Sequence, residues 1–448
     1  MANLTELPAC ALQTFRSLKT ETGHLDFLTV SDSNSVTFQE MFEISCQEFE
    51  RIDEVIERDF QGLYSGTLGM SSISGGQTAA NQALANLDIT GYANRRNQVL
   101  PKSSRGASVL SPYIRHNILT LSDVFQAVRK APHKDREKFQ DELLWQEYAR
   151  HLYARMGVRL FENLRFEANK DQDGDGWNRE MRCVDEVVSE LETDGWLVNQ
   201  TRMWLASQWT VREEKGWLFG QERMYQQLLD GSRAANLLGW QWTVGAGTGK
   251  PYGFSKWQVD KRAPGLCAKC SLVGNCPVTE FPEEISLAQS ANNERLNIDH
   301  DLSATRGPIV PEINKRAEYV LLTIDSLGDA DRAMVAHPEL QVVFIFNEPA
   351  LRKLQLSSLR IAFYLQTLQD LSARRDLRVY LGDPYQFAKD HAVAVTFAPV
   401  PSFRKFTDLA EVHPYPWLRM PHAGSVKSFS SWRKNLPKSR YSQVDNPS

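Results

Sequence analysis

A helical domain followed by a small parallel α/β domain is the architecture this sequence predicts, on three observations. The apolar spacing is helical from Thr78 to about Glu284, in segments such as Glu137–Met156 and Met181–Thr193. A polar stretch, 285–315, then interrupts it with Asn292, Asn293, Asp299, His300, Asp301 and Pro308. Beyond it, short apolar runs alternate with helical ones, the pattern of a parallel sheet covered by helices.

In chain order, residues 1–74 hold one helix-like segment, Phe38–Phe60, and a Ser/Gly-rich stretch from Ser65 to Gly76 that reads as a linker. No role follows from this region. Residues 75–284 make the helical domain and 285–315 its connection to the α/β domain, 316–425. There the expected strands are Tyr319–Ile324, Val342–Phe346, Val379–Leu381 and Ala392–Phe397, with a helix over Leu356–Ser372. The tail, 426–448, carries Lys427, Arg433, Lys434, Lys438 and Arg440 beside Phe429 and Trp432; it reads as a solvated basic tail, with DNA contact as the other option.

At 448 residues and 42% hydrophobic, the chain can bury a sizeable core. No apolar run approaches the roughly 20 residues of a membrane helix, and no basic stretch leads into an apolar one at the start. A cytoplasmic protein with no membrane partner, acting as a monomer, is the expectation. A net charge of −4 gives no global basic field, so any nucleic-acid contact requires a local patch.

Two residue types are unevenly placed. Nine of the eleven tryptophans fall between Trp145 and Trp257, which gathers redox-capable rings in one region. Of the six cysteines, Cys267, Cys270 and Cys276 lie within ten residues, a crowding that favours metal over disulfide. Tetrahedral zinc or a four-iron cluster needs a fourth thiolate, and Cys183 is the candidate. Two other motifs fail on inspection. Asp171, Asp173 and Asp175 begin like a calcium loop, but its twelfth position is Arg182. Gly245–Lys250 suggests a phosphate loop, yet Val244 stands at its first glycine and Pro251 at its hydroxyl.

The string Leu229-Asp230-Gly231-Ser232-Arg233-Ala234-Ala235-Asn236-Leu237-Leu238-Gly239-Trp240-Gln241-Trp242 resembles the flavin-contacting segment of the photolyase and cryptochrome superfamily. So, in the family's order, do Gly75–Ala80, Tyr92, Gly106–Arg115, Glu142–Tyr148 and Gly195–Met203, together about 200 residues. The segments Val342–Asn347 and Leu381–Pro384 resemble the family's α/β domain. In the family that Rossmann-like domain precedes the all-helical FAD-binding domain; here it follows, so the order is reversed.

The resemblance implies light-driven repair of cyclobutane pyrimidine dimers in UV-damaged DNA, single- or double-stranded, by a prokaryotic-type, nucleoid-associated protein. It implies a lesion pocket of Glu142, Trp145, Asn199, Met203 and Trp242, with Asn236 facing the flavin ring. Tyr92, Ser108, Leu110, Ser111, Arg202 and Asp230 would hold FAD. Trp240 and Trp217 match the first two members of an electron-transfer chain whose third position falls near Leu164 and Arg165, where Trp177, Trp204 or Trp209 would have to substitute. Met181-Arg182-Cys183 and the three later cysteines, followed by Pro277, resemble the ligands of an iron-sulfur branch of the family, which implies a 4Fe-4S cluster, with zinc as the alternative. That branch carries paired histidines where Val198 and Asn199 stand, and Gln200 replaces a common arginine. The implied substrate is therefore the cyclobutane dimer rather than the (6-4) photoproduct. A cryptochrome-like photoreceptor and a light-independent flavoprotein are the competing readings. An antenna chromophore is not legible.

Overall fold

The computed structural model describes residues 41–436. Its six-stranded sheet runs β1 (Phe42–Ile44), β2 (Tyr319–Leu322), β3 (Gln341–Asn347), β4 (Leu377–Gly382), β5 (Val393–Thr396) and β6 (Ala410–His413), in the spatial order β1-β4-β3-β2-β5-β6. All neighbouring pairs are parallel except β1, which adds antiparallel to β4. The strand order reverses beside β2, the doubly wound pattern.

Alternation along the strands sends Val320, Leu322, Val342, Phe344, Phe346, Val379 and Leu381 to one face, where they join α1 (Ile52–Asp59) and α11 (Ser358–Ser372) in one core. Leu321, Val343, Ile345, Val393 and Val395 pack on the opposite face against Phe387, Phe403 and Phe406. The first core also takes in α2 (Gln77–Ala85) and α3 (Ser111–Arg115), and a third core fills the helical layer of α4 (His133–Met156), α5 (Arg182–Asp194), α6 (Asn199–Ser207), α7 (Trp217–Gln227), α8 (Arg233–Val244) and α9 (Lys256–Arg262) around Trp204, Trp209, Trp217 and Trp240. α10 (Arg332–Ala336) and α12 (Phe429–Lys434) complete the set used below.

Three expectations change. Within Phe38–Phe60, residues 38–40 lie outside the described residues, and Phe42–Ile44 is a strand, because pairing with β4 satisfies the backbone of both edges; the helix itself spans Ile52–Asp59. The Ser65–Gly76 stretch is packed rather than loose: the Gly75 N–H donates to Gln366 Oε1 of α11 at 2.7 Å, and a Cβ there would meet the Phe363 carbonyl.

The tail is not a solvated one over 426–436. Val426 and Trp432 are fully buried, Tyr148 Oη donates to the Val426 carbonyl (2.8 Å), and Trp432 Nε1 donates to His151 Nδ1 (2.9 Å). Amphipathic burial of Phe429 and Trp432 outweighs the charge that suggested solvent, and Arg433 spends its charge on Asp141. Lys438 and Arg440 lie outside the described residues.

Candidate functional site

A cavity of about 530 Å³ opens among α3, α4, α6 and α8. Its floor begins where α8 does. Ser232 caps that helix by accepting from the Ala235 N–H, which places Asp230 just before it and Asn236 one turn inside. Arg202 of α6 holds Asp230: its Nη2 donates to Oδ2 at 2.7 Å, and its Nε is anchored on the Leu197 carbonyl. The other oxygen of this buried carboxylate, Oδ1, has no partner, nor has the buried Trp240 Nε1, and both residues line the cavity. Unmet buried polar atoms on a cavity wall mark places where a polar ligand belongs. Asn236 donates its amide hydrogens to the Gln221 carbonyl and to Gln221 Oε1, which turns its own oxygen away from Gln221.

One wall is the turn before α3. Val109 sits at φ 56°, a left-handed conformation that costs a β-branched residue about 1–3 kcal/mol and recurs at ligand clamps. Ser108 and Ser111 flank it on the cavity wall, and Ser111 Oγ accepts from Trp196 Nε1 at 2.9 Å. Tyr92 lines the cavity edge-on to Phe139. Leu110 does not line it: its side chain is fully buried in the core shared with the sheet, the ordinary place for a leucine at the start of a short helix. Arg96, Arg115 and Arg150 also line the cavity, and none of the three was among the expected site residues. With Arg202 they make the cavity a local basic site in a chain of negative net charge. Arg115 is also paired with Asp325 beyond β2 at 2.5 Å, tying the cavity to the sheet.

Glu142, Trp145, Asn199, Met203 and Trp242 all line the same cavity. The Glu142 carboxylate is held by Lys138 Nζ (2.8 Å) and Arg96 Nε (3.3 Å). Trp145 and Trp242 are 36% and 40% exposed, unusual for indoles, and offer ring faces to a flat partner. Phe429 of α12 stacks on one face of Trp145, with centroids 4.1 Å apart and planes 9° apart, so one face remains for a ligand. Trp242 leans on Tyr252, whose hydroxyl accepts from Gln200 Nε2.

Trp240 and Trp217 are buried, and the Trp217 Nε1 is spent on Asn163 Oδ1. A Cβ on Gly220 of α7 would come within 2.6 Å of Trp240 Cζ3 and 2.8 Å of Trp209 Cδ1, so this glycine is what lets both rings approach one point of α7. Trp209 in turn meets Trp177 edge-on at 5.3 Å, and Lys215 lies over its ring.

The structure brings Cys183 of α5 together with Cys267, Cys270 and Cys276 around one small apolar void that Met181, Val259, Leu266 and Val278 also line. Burial, then the neighbouring cysteines, pushes the Cys183 thiol up to about 12. Thiolates on one zinc sit about 2.3 Å from the ion, hence within roughly 4 Å of each other.

Residues 139–260 match the family model described as the FAD binding domain of DNA photolyase. A deoxyribodipyrimidine photo-lyase of Thermus thermophilus is 30% identical over 180 residues, 38% of this chain and 42% of the relative. A cryptochrome DASH of Idiomarina loihiensis is 24% identical over 228 residues, 48% of each chain. A crystal structure of a Synechocystis cryptochrome aligns at 21% identity and a TM-score of 0.40, over 44% of this chain and 46% of that one. The matched segments thus span less than half the length of these relatives.

Proposed function

This chain belongs to the photolyase and cryptochrome superfamily, and from that premise we propose that it repairs cyclobutane pyrimidine dimers in UV-damaged DNA in blue light. The observation that carries the proposal is the cavity itself: buried polar atoms without partners at its floor, and two half-exposed indoles beside a fixed carboxylate on its walls. The donor set suits FAD. Asp230 Oδ1 can accept from a hydroxyl or ring N–H, Asn236 Oδ1 faces the floor, and Ser108 and Ser111 offer hydroxyls to phosphates. When bound and reduced, the flavin supplies the photon-driven electron that opens the cyclobutane ring and is returned at the end.

The protein's own residues do the rest. Arg202 fixes Asp230, Gln221 fixes Asn236, and Lys138 with Arg96 fixes Glu142, so a flipped-out pyrimidine dimer would meet donors and acceptors already in place. Trp145 and Trp242 stack on the bases, and Asn199 and Met203 close the pocket against water. Val198 and Asn199, in place of paired histidines, favour the cyclobutane over the (6-4) lesion. Trp240, Trp209 and Trp177 form a relay from cavity to surface in place of a chain through Trp217, supported by the Gly220 approach.

The four cysteines would hold a 4Fe-4S cluster rather than zinc, supported by their gathering around one apolar void and by the resemblance of Met181-Arg182-Cys183 to the iron-sulfur branch; iron and sulfide analysis tests it, and zinc bound by sulfur would reverse it. The family's α/β domain then follows its flavin domain in this chain.

Binding in the dark tests the lesion reading. Anisotropy titration with a dimer-containing duplex should give an affinity at least about tenfold above that for the undamaged duplex. Equal affinities would instead favour a photoreceptor, and tighter binding of a (6-4) duplex would overturn the choice of lesion.

A further inference from the structure

The buried polar groups of β6 lie outside the cavity and take no part in the function proposed above. Glu411 and His413 are two residues apart on a strand and so share a face, the one that carries Ala394 and Thr396, their partners in β5. His337, just past α10, reaches the same point. Nε2 of His337 and Nε2 of His413 each lie 2.8 Å from Glu411 Oε1, and the two rings cross at 88° with centroids 5.5 Å apart. Glu411 and His413 are almost wholly buried, whereas the His337 side chain is 21% exposed, so the cluster opens to solvent on one side.

We propose that His337, Glu411 and His413 form a binding site for a divalent transition-metal ion of the zinc class. Two imidazole nitrogens and one carboxylate oxygen are a ligand set such ions take, with a water in the fourth position. Their ligand atoms all lie within 4.8 Å of one another. An ion about 2.0–2.2 Å from each would set them roughly 3.3 Å apart, a small outward adjustment. On binding, each imidazole turns the lone pair of Nε2 to the ion and keeps one proton, on Nδ1, the proton reaching Nδ1 or leaving by exchange with solvent, so the ligands are two neutral imidazoles and a carboxylate; water enters on the His337 side.

The scaffold is held from both directions. Glu312 pairs with Val412 through two backbone hydrogen bonds of 2.9 Å along the free edge of β6. Asp331 caps α10 by accepting from Met334 N–H and from Ser326 Oγ, and the Ala333 N–H donates to Thr396 Oγ1, so His337 is delivered by a pinned helix.

Equilibrium dialysis of the full, cluster-bearing protein against zinc, with zinc-edge X-ray absorption, tests the site. The expected result is one zinc per chain with a nitrogen and oxygen shell free of sulfur. Glu411→Gln, which keeps a hydrogen-bond acceptor for an imidazole, should weaken retention at least about 100-fold at an unchanged melting temperature. No retained zinc, a sulfur-containing shell, or equal retention by the parent and Glu411→Gln would each overturn the proposal. Because none of these readouts involves flavin, light or DNA, they are independent of the repair reading.

Discussion

The two faces of α4 divide the labour of the molecule. Toward the cavity the helix presents Glu142, Trp145, Gln146 and Arg150, partly exposed, beside the buried Ala149, and Glu142 is held in place by charge. Toward the 415–436 segment it presents Glu147, Tyr148, His151, Leu152 and Arg155, all buried, and their polar atoms are spent largely on that segment's backbone. One face leaves room for a ligand; the other is covered by the chain's own 415–436 segment, with Glu147 Oε2 and Arg155 Nε left without hydrogen-bond partners. Residues one or two apart on a single helix point to different faces and can therefore serve function and stability separately, and substitutions on the two faces should fail in different ways.

The largest effect belongs to the closed face. Trp432→Ala removes a fully buried indole and the His151 partner, and should cost about 3–5 kcal/mol in denaturant unfolding while the protein that remains folded keeps its flavin. A loss under about 1 kcal/mol would mean that the tail is not part of the core.

Glu147 gives a smaller effect with a pH signature. Burial, opposed by Arg150 and the Arg419 N–H, raises its carboxyl from 4.5 to about 7. The folded chain thus holds this proton more tightly than the unfolded one. Stability is unaffected below about pH 4.5, falls as pH rises from there to about 7, and stays reduced above. Glu147→Gln should stabilise by about 2 kcal/mol at pH 8 and by little at pH 4, read from urea midpoints.

On the open face, Glu142→Ala should lower affinity for dimer-containing duplex about tenfold, ~1.4 kcal/mol, at an unchanged melting temperature. The smallest effect tests the contact between the faces. Phe429→Leu keeps bulk but removes the ring stacked on Trp145, and should weaken dimer binding about threefold with little loss of stability. If Phe429→Leu destabilised as much as Trp432→Ala, the faces would not be separable.

The same division explains what the sequence made legible. The cavity residues were readable because α6 and α8 carry their chemistry in contiguous strings, Gly195–Met203 and Leu229–Trp242, and twelve of the expected positions, from Tyr92 to Trp242, meet on one cavity. Cys183 was readable as a fourth thiolate from the ligand count together with the resemblance of Met181-Arg182-Cys183 to the iron-sulfur branch. The approach of Trp240 and Trp209 to one point of α7 was not, because it depends on a missing side chain at Gly220 rather than on any ring spacing. β6 escaped notice because Glu411 and His413 are charged types on a buried strand, which erases the apolar alternation. The tail was misread for the converse reason: five basic residues outweighed Phe429 and Trp432 in the pattern, whereas burial area decides the packing.

The most direct test of the central claim is a light-minus-dark assay of the purified, reduced protein on an oligonucleotide carrying one thymine cyclobutane dimer. The account predicts dimer loss under blue light and none in the dark. An intact dimer after illumination of flavin-loaded protein would contradict it.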